Sequence, residues 1–323
     1  MTLNVRVRRI TYRAEGIVSL ELVPLGAEPL PPFTAGAHIE VRLPNGMARQ
    51  YSLHNRPGER HRYEIAVQRE ETGRGGSLHI HDQVRAGDVL AISAPRNHFE
   101  LDEGARHTIL VGGGIGITPL IAMATHLGEI GASFALHYCA RSRERLAFLE
   151  EANALAQAGS VTFHLDGGVP AAGLDTAALL ATHMPGTRVY CCGPHGLNTA
   201  VQAASAHWPA GAVRFETFAP PSATFPLPPA PLDGEDGAEF EIELASTGTI
   251  IPVHSGQSIL AALRARGLDA ESSCEAGTCG VCKTRLLHGV ADHQDFVLSR
   301  DEQAEWMMIC VSRAKSRRLK LGL

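Results

Sequence analysis

Apolar and polar residues alternate in the first part of the chain, with clear runs at 3–10, 17–23, 38–43 and 63–67. A period of two sends every second side chain to one face, which marks a half-buried strand. Pro-Asn-Gly at 44–46, Arg-Pro-Gly at 56–58 and Ala-Gly-Asp at 86–88 punctuate these runs as turns. Many short strands without a long helical period predict an antiparallel β-barrel over residues 1–103.

The pattern changes near residue 107. Strand candidates at 108–111, 133–139, 161–165, 188–192 and 213–218 alternate with helix candidates at 119–127, 145–157, 175–182 and 195–207. That alternation predicts an α/β domain over 104–218, built on a doubly wound parallel sheet. Residues 219–237 are rich in proline and small residues and read as a semi-extended linker. Beyond it, a hairpin at 238–244 and 249–253 and a helix at 257–266 predict an α+β, ferredoxin-like (β-grasp) domain over 238–323. The basic end of the chain, from Arg313 to Lys320, reads as a solvated edge strand.

Composition narrows the function classes. Of 323 residues, 44% are hydrophobic and 20% charged, as in ordinary globular domains. A net charge of −5 gives no reason to expect nucleic acid or an anionic membrane as partner. The opening residues carry basic side chains but no apolar run, so no secretory signal is expected. The longest uncharged stretch, 108–127, is broken by glycines and a proline and reads as strand–turn–helix, not as a membrane span. Cys139, Cys191 and Cys192 sit in apolar strand candidates, which argues for reduced thiols and a cytoplasmic location.

The chemistry is concentrated in three places. Cys274, Cys279 and Cys282, with Cys310 far downstream, form C-x4-C-x2-C…C, the spacing of a plant-type [2Fe–2S] cluster. Small residues between them suit a loop whose backbone must approach a cluster closely. Zinc fits the spacing poorly, because structural zinc sites usually pair two short knuckles. A disulfide pair is the remaining alternative.

Arg49, Gln50, Tyr51 and Ser52 stand at a predicted strand end. A flavin needs an arginine for its phosphate, an aromatic ring against the isoalloxazine and a small hydroxyl near N5. Downstream, Gly73-Arg74-Gly75-Gly76-Ser77 opens a predicted helix, where bare N–H groups suit a phosphate. These residues leave FMN and FAD equally open.

The strand at 108–111 runs into Gly112-Gly113-Gly114-Ile115-Gly116-Ile117-Thr118-Pro119, a turn able to approach a pyrophosphate. Proline suits the first helical turn, where no hydrogen bond is lost. Later, Cys191-Cys192-Gly193-Pro194 ends another strand of the same sheet, so Cys192 is a candidate neighbour of the nicotinamide.

In this order the three modules resemble the phthalate dioxygenase reductase family, which includes vanillate demethylase reductases. The resemblance spans essentially the whole chain. It is carried by RQYS (49–52), GRGGS (73–77), GGGIGITP (112–119), YCCGP (190–194), RFETF (214–218), SSCEAGTCGVCKT (272–284), ADHQDFVLS (291–299) and MICVSRAKS (308–316). It implies an FMN barrel, an NADH domain and a C-terminal ferredoxin, and it favours FMN over FAD. By motif, Arg49, Gln50, Tyr51, Ser52, Gly75, Gly76 and Ser77 would hold FMN. Gly113, Gly114, Gly116, Thr118, Pro119, Arg141, Cys192, Gly193 and Pro194 would line the NADH path, with Glu216 and Phe218 near the flavin. Cys274, Cys279, Cys282 and Cys310 would ligate the cluster. Ser142 follows Arg141 where relatives often carry an acid, so NADPH is less firmly excluded. The implied partner is a Rieske-type oxygenase that receives the electrons one at a time. The alternatives are a stand-alone NAD(P)H-dependent flavin/iron–sulfur reductase of another acceptor, and a redox-sensing module.

Overall fold

The structure is a computed structural model that describes residues 2–44, 47–71, 75–218, 239–272, 275–298 and 301–323. Several expected features fall wholly or partly outside these residues: the linker at 219–237, the turn at 45–46, the tip at 73–74, Ser273 and Cys274, and Ser299. Packing divides the chain into two compact units, Met1–Glu216 and Thr217–Leu323.

The first unit opens with six strands: β1 (Thr2–Ala14), β2 (Ile17–Pro24), β3 (His38–Arg42), β4 (Ala48–Ser52), β5 (Tyr63–Gln68) and β6 (Val89–Ser93). They form one antiparallel sheet in the order β4-β3-β6-β1-β2-β5. A bridge between Leu53 and Ile65 joins its two edges, so the sheet closes into the expected barrel. Closure removes the unpaired edges that an open sheet would present. Val5, Leu20, Leu22, Ile39, Val41, Ile65 and Ile92 fill the interior, each the inward member of an alternating pair. Helix α1 (Gly76–Gln83) follows β5.

The same unit continues with β7 (His107–Gly113), β8 (Phe134–Ala140), β9 (Ser160–Leu165), β10 (Thr187–Cys192) and β11 (Val213–Glu216). All pairings are parallel, in the order β11-β10-β7-β8-β9. Helices α2 (Ile117–Glu129), α3 (Leu149–Leu155), α4 (Thr176–Leu179) and α5 (His195–Ala204) make the crossovers. The region expected as helix over 145–157 is shorter than its pattern suggested. A separate 3₁₀ segment, Arg143–Arg145, precedes it and ends at the first expected residue, and α3 begins only after Phe148. The expected strand 213–218 likewise stops at Glu216.

Barrel and sheet share one hydrophobic cluster. Ala14, Ile17, Ala35, Ala66 and Phe99 from the barrel side pack with Leu110, Leu120, Met123, Tyr138 and Phe148 of the α/β side. Arg13 reinforces the junction, donating to Glu151 of α3 at 2.5 Å and lying 5.2 Å over the Phe148 ring. His54 meets the same ring edge-on at 4.8 Å.

The second unit holds β12 (Phe240–Leu244), β13 (Ile250–Val253), α6 (Ile259–Ala265), β14 (Lys283–His288), β15 (Ala291–Asp292), β16 (Trp306–Met308), β17 (Arg313–Ala314) and β18 (Arg318–Leu321). The main sheet runs β13-β12-β18-β14-β16, with β15 and β17 paired separately. Helix α6, capped by Ser258 accepting from Ala261 N, buries Ile259, Leu260, Ala262 and Leu263 in the core of this unit. The expectation of a solvated basic edge is corrected. Strand β18 is interior to the sheet, parallel to β12, and its basic side chains lie in register with acids of that neighbour. Arg318 pairs with Glu241 and Lys320 with Glu243, at 2.6 and 2.9 Å. Opposite charges on one sheet face let a charged strand sit in the middle.

Candidate flavin, nicotinamide and iron–sulfur sites

In the parallel sheet the chain order reverses between β7 and β10, since β7 leads outward to β8 and β9 while β10 leads to β11. Ligands of open α/β sheets bind beyond the carboxyl ends of the strands at such a switch point. Cys192, at the end of β10, pairs with Gly112 of β7 on one side and Glu216 of β11 on the other. The glycine turn and the Cys192-Gly193-Pro194 turn therefore emerge side by side.

Their contact explains the glycines. A Cβ on Gly116 would lie 2.3 Å from the Cys192 carbonyl oxygen, and one on Gly113 would lie 2.8 Å from Pro194. Only bare backbone fits there. Gly114, at φ +54°, faces open space, and no side chain caps the start of α2. The Thr118 hydroxyl donates to Ile115 O at 3.0 Å and braces the turn from within. Pro119 lies buried in the first turn of α2. Arg141, just past β8, is exposed, and its carbonyl accepts from Gly167 N at 3.0 Å. An uncapped helix start behind a close-packed glycine turn fits a pyrophosphate.

In the barrel, Arg49 lies along the first turn of α1. A Cβ on Gly76 would fall 2.7 Å from Arg49 Cγ, and the N-cap Gly75 takes φ +81° with no side-chain cap. A guanidinium beside an uncapped helix start fits a phosphate. Tyr51 is largely buried, and burial pushes its phenol up to about 12, so it is neutral. Gln50 pairs across to Glu40, and Ser77 Oγ accepts from Glu70 N at 3.0 Å, which ties the loop before α1. Ser52 is buried at the end of β4 and donates to Glu216 Oε2 at 3.3 Å.

The Ser52–Glu216 bond brings the flavin motif and the nicotinamide turn to one place. Glu216 is the parallel partner of Cys192. Burial, then the neighbouring Glu216 carboxylate and Cys191, hold the Cys192 thiol well above its ordinary pKa. It is a neutral, compact wall residue and not a thiolate nucleophile. Phe218 is exposed and falls past the end of the first unit.

In the second unit Cys282 and Cys310 are buried with their sulfurs 3.0 Å apart, too far for an S–S bond of about 2.05 Å. Cys279 is half-buried in the preceding loop. Among the described residues no three His, Cys, Asp or Glu side chains converge as a metal set, and Cys274 lies outside those residues. The loop itself carries the fit. Glu275, Gly277 and Gly280 take φ +53°, +74° and +79°. Left-handed residues interspersed this way make a backbone hollow lined by N–H groups, as at anionic and iron–sulfur sites.

Asp295, missed as a functional residue, supports that loop. Its side chain is fully buried, and Oδ2 accepts from the N–H groups of Val297 and Leu298 at 3.2 and 2.8 Å. Ser312, two residues past Cys310, donates to Oδ1 at 3.5 Å, and Phe296 N donates to Gly277 O at 2.9 Å. An acid directly before the apolar run Phe296-Val297-Leu298 in ADHQDFVLS was the available signal. Asn198 was missed as well, since a helix pattern does not single out one amide.

The family described as a 2Fe-2S iron-sulfur cluster binding domain matches residues 242–315. The chain is 46% identical to the tert-butanol monooxygenase / tert-amyl alcohol desaturase reductase subunit of Aquincola tertiaricarbonis, over 99% of this chain and 96% of that protein. It is 43% identical to phthalate dioxygenase reductase of Burkholderia cepacia, over 96% and 94% of the two chains. The chain belongs to the phthalate dioxygenase reductase family. A solved phthalate dioxygenase reductase, described as a modular structure for electron transfer from pyridine nucleotides to [2Fe–2S], superposes with a TM-score of 0.71 at 41% identity, covering 100% of this chain and 98% of that one. As a member of the family this chain is an oxidoreductase, an electron-transfer reductase with flavin, NAD and [2Fe–2S] modules. Among the described residues no helix is long and apolar enough to cross a membrane.

Proposed function

We propose that the chain draws electrons from NADH at the junction of barrel and sheet and delivers them singly to a Rieske-type oxygenase. When bound, FMN would take two electrons together and release them one at a time to a [2Fe–2S] centre held by Cys274, Cys279, Cys282 and Cys310. The observation that carries this reading is the 3.3 Å bond from Ser52 of the flavin strand to Glu216, the strand partner of Cys192.

Each side chain then has a task. Arg49 and the start of α1, with Gly75, Gly76 and Ser77, hold the flavin phosphate, while Tyr51 packs on the ring system. Gly113, Gly114, Gly116, Thr118 and Pro119 seat the pyrophosphate of the nucleotide. Cys192, Gly193 and Pro194 confine the nicotinamide, and the neutral thiol adds bulk without charge. Glu216 accepts the hydrogen bond of the Ser52 hydroxyl and so fixes its direction. Hydride transfer asks for alignment rather than a strong acid or base, and a rigid shared core supplies it.

For the coenzyme, NADH is the favoured donor. Arg141, Ser142 and Arg143 follow β8 with no acid before Glu144, which leaves room for some NADPH use. A cytoplasmic setting is supported by Cys139, Cys191 and Cys192, which form no disulfide.

The test is anaerobic titration of the holoprotein with NADH, and separately NADPH, followed by visible absorbance and EPR. The reading requires bleaching of flavin bands together with a reduced-cluster signal. Flavin bleaching with no cluster signal would remove the second unit from the electron path.

A further inference from the structure

Asn198 is fully buried in the first turns of α5, and both ends of its amide are engaged. Its Oδ1 accepts the Cys191 thiol hydrogen at 3.2 Å, and its Nδ2 donates to the Glu216 main-chain carbonyl at 3.2 Å. An amide is a poor choice for a helix interior and costly to bury without partners. A buried thiol does not require such a partner, being a weak donor that packs well among apolar groups. The Glu216 carbonyl is the demanding end. It belongs to the last residue of β11, the residue whose carboxylate accepts the hydrogen bond of Ser52.

We propose that Asn198 is a positioning residue for hydride transfer. By tying the Glu216 backbone to the helix behind the Cys192-Gly193-Pro194 turn, it holds the Glu216 carboxylate against Ser52. One amide thereby links the helix after the nicotinamide turn to the flavin strand through Glu216. The inference rests on the Ser52–Glu216 reading above.

The experiment is a double-mutant cycle in the holoprotein: Asn198→Leu, Glu216→Ala and the two together. The limiting rate of flavin reduction by NADH is measured across pH. Asn198→Leu is expected to lower that rate about tenfold, with the NADH KM nearly unmoved, and to alter its pH profile. In the Glu216→Ala background, which lacks the acceptor for Ser52, the same substitution is expected to change little, since contacting residues acting in series are not additive. Amide exchange on the flavin-free protein supplies a second readout, with faster exchange confined to β11 and the end of β4. Equal losses in both backgrounds, or loosening spread through α5 and β10, would reduce Asn198 to a packing residue and overturn the inference alone. A Glu216→Ala protein with wild-type rate and pH profile would overturn the Ser52–Glu216 reading and the inference with it. Should Asn198→Leu fail to fold, Asn198→Ala carries the same cycle with the same outcomes.

Discussion

Ser52 Oγ donates to Glu216 Oε2 across 3.3 Å, joining residues 164 positions apart in the chain. One ends a barrel strand and the other ends a strand of the parallel sheet. The bond crosses from the barrel to the parallel sheet within a single packed unit.

Removing either end of that bond is expected to slow chemistry more than binding. Ser52→Ala and Glu216→Ala should each lower the limiting rate of flavin reduction by NADH about tenfold to a hundredfold, with the NADH KM little changed. Stopped-flow absorbance under anaerobic conditions measures this. An effect confined to KM would place both residues in ordinary binding.

Cysteine substitution separates the two halves of the electron path. Cys282→Ser or Cys310→Ser is expected to abolish the visible and EPR signature of the cluster, while NADH still bleaches the flavin. Reduction of the protein acceptor should fall to background. A variant that keeps full turnover with that acceptor would exclude the cluster as an obligatory carrier.

The cluster loop should tolerate a methyl at one glycine and not at another. Gly277 has φ +74°, and an added Cβ would meet Val311 Cγ2 at 2.7 Å and Asp295 Cα at 3.2 Å. Gly280 has φ +79° but its nearest neighbour, Val297 Cγ1, would be 3.6 Å away. Gly280→Ala therefore carries only the left-handed backbone cost of about 1–2 kcal/mol, and Gly277→Ala adds a clash to the same cost. Cluster release to a chelator and thermal melting of the second unit should rank Gly277→Ala as the more damaging change.

Two buried histidines set an acid limit on the first unit. Burial, with Arg13 adding to it, lowers His54 to about 3, and burial, then His98 and Arg96, lowers His38 to about 4. In the unfolded chain both take a proton near pH 6.5. The folded state refuses it, so unfolding binds protons below pH 6.5. Stability from these groups is complete above that pH and declines as pH falls toward about 4, by about 1.4 kcal/mol per pH unit for each histidine. His54→Gln should remove one proton from the pH dependence of melting between 6.5 and 4.5. An unchanged slope would show that His54 is accessible to protonation in the folded protein.

The three modules, the cysteine spacing and the glycine turns were legible in the sequence because each is a local pattern. Period-two alternation, strand–helix alternation and C-x4-C-x2-C are all written within a few tens of residues. The start of α3 and the place of β18 were not legible. The pattern over 145–157 does not say where the helix begins, and whether a basic strand is edge or interior depends on neighbours such as Glu241 and Glu243 that lie far away in the chain. The same holds for the site. Its residue types could be named one motif at a time, from the geometry each ligand demands of a short segment. That Ser52 meets Glu216, that Gly116 presses on Cys192, and that Asp295 lies beneath Gly277 were decided by tertiary packing alone, because contacts between distant segments leave no periodic trace in either one.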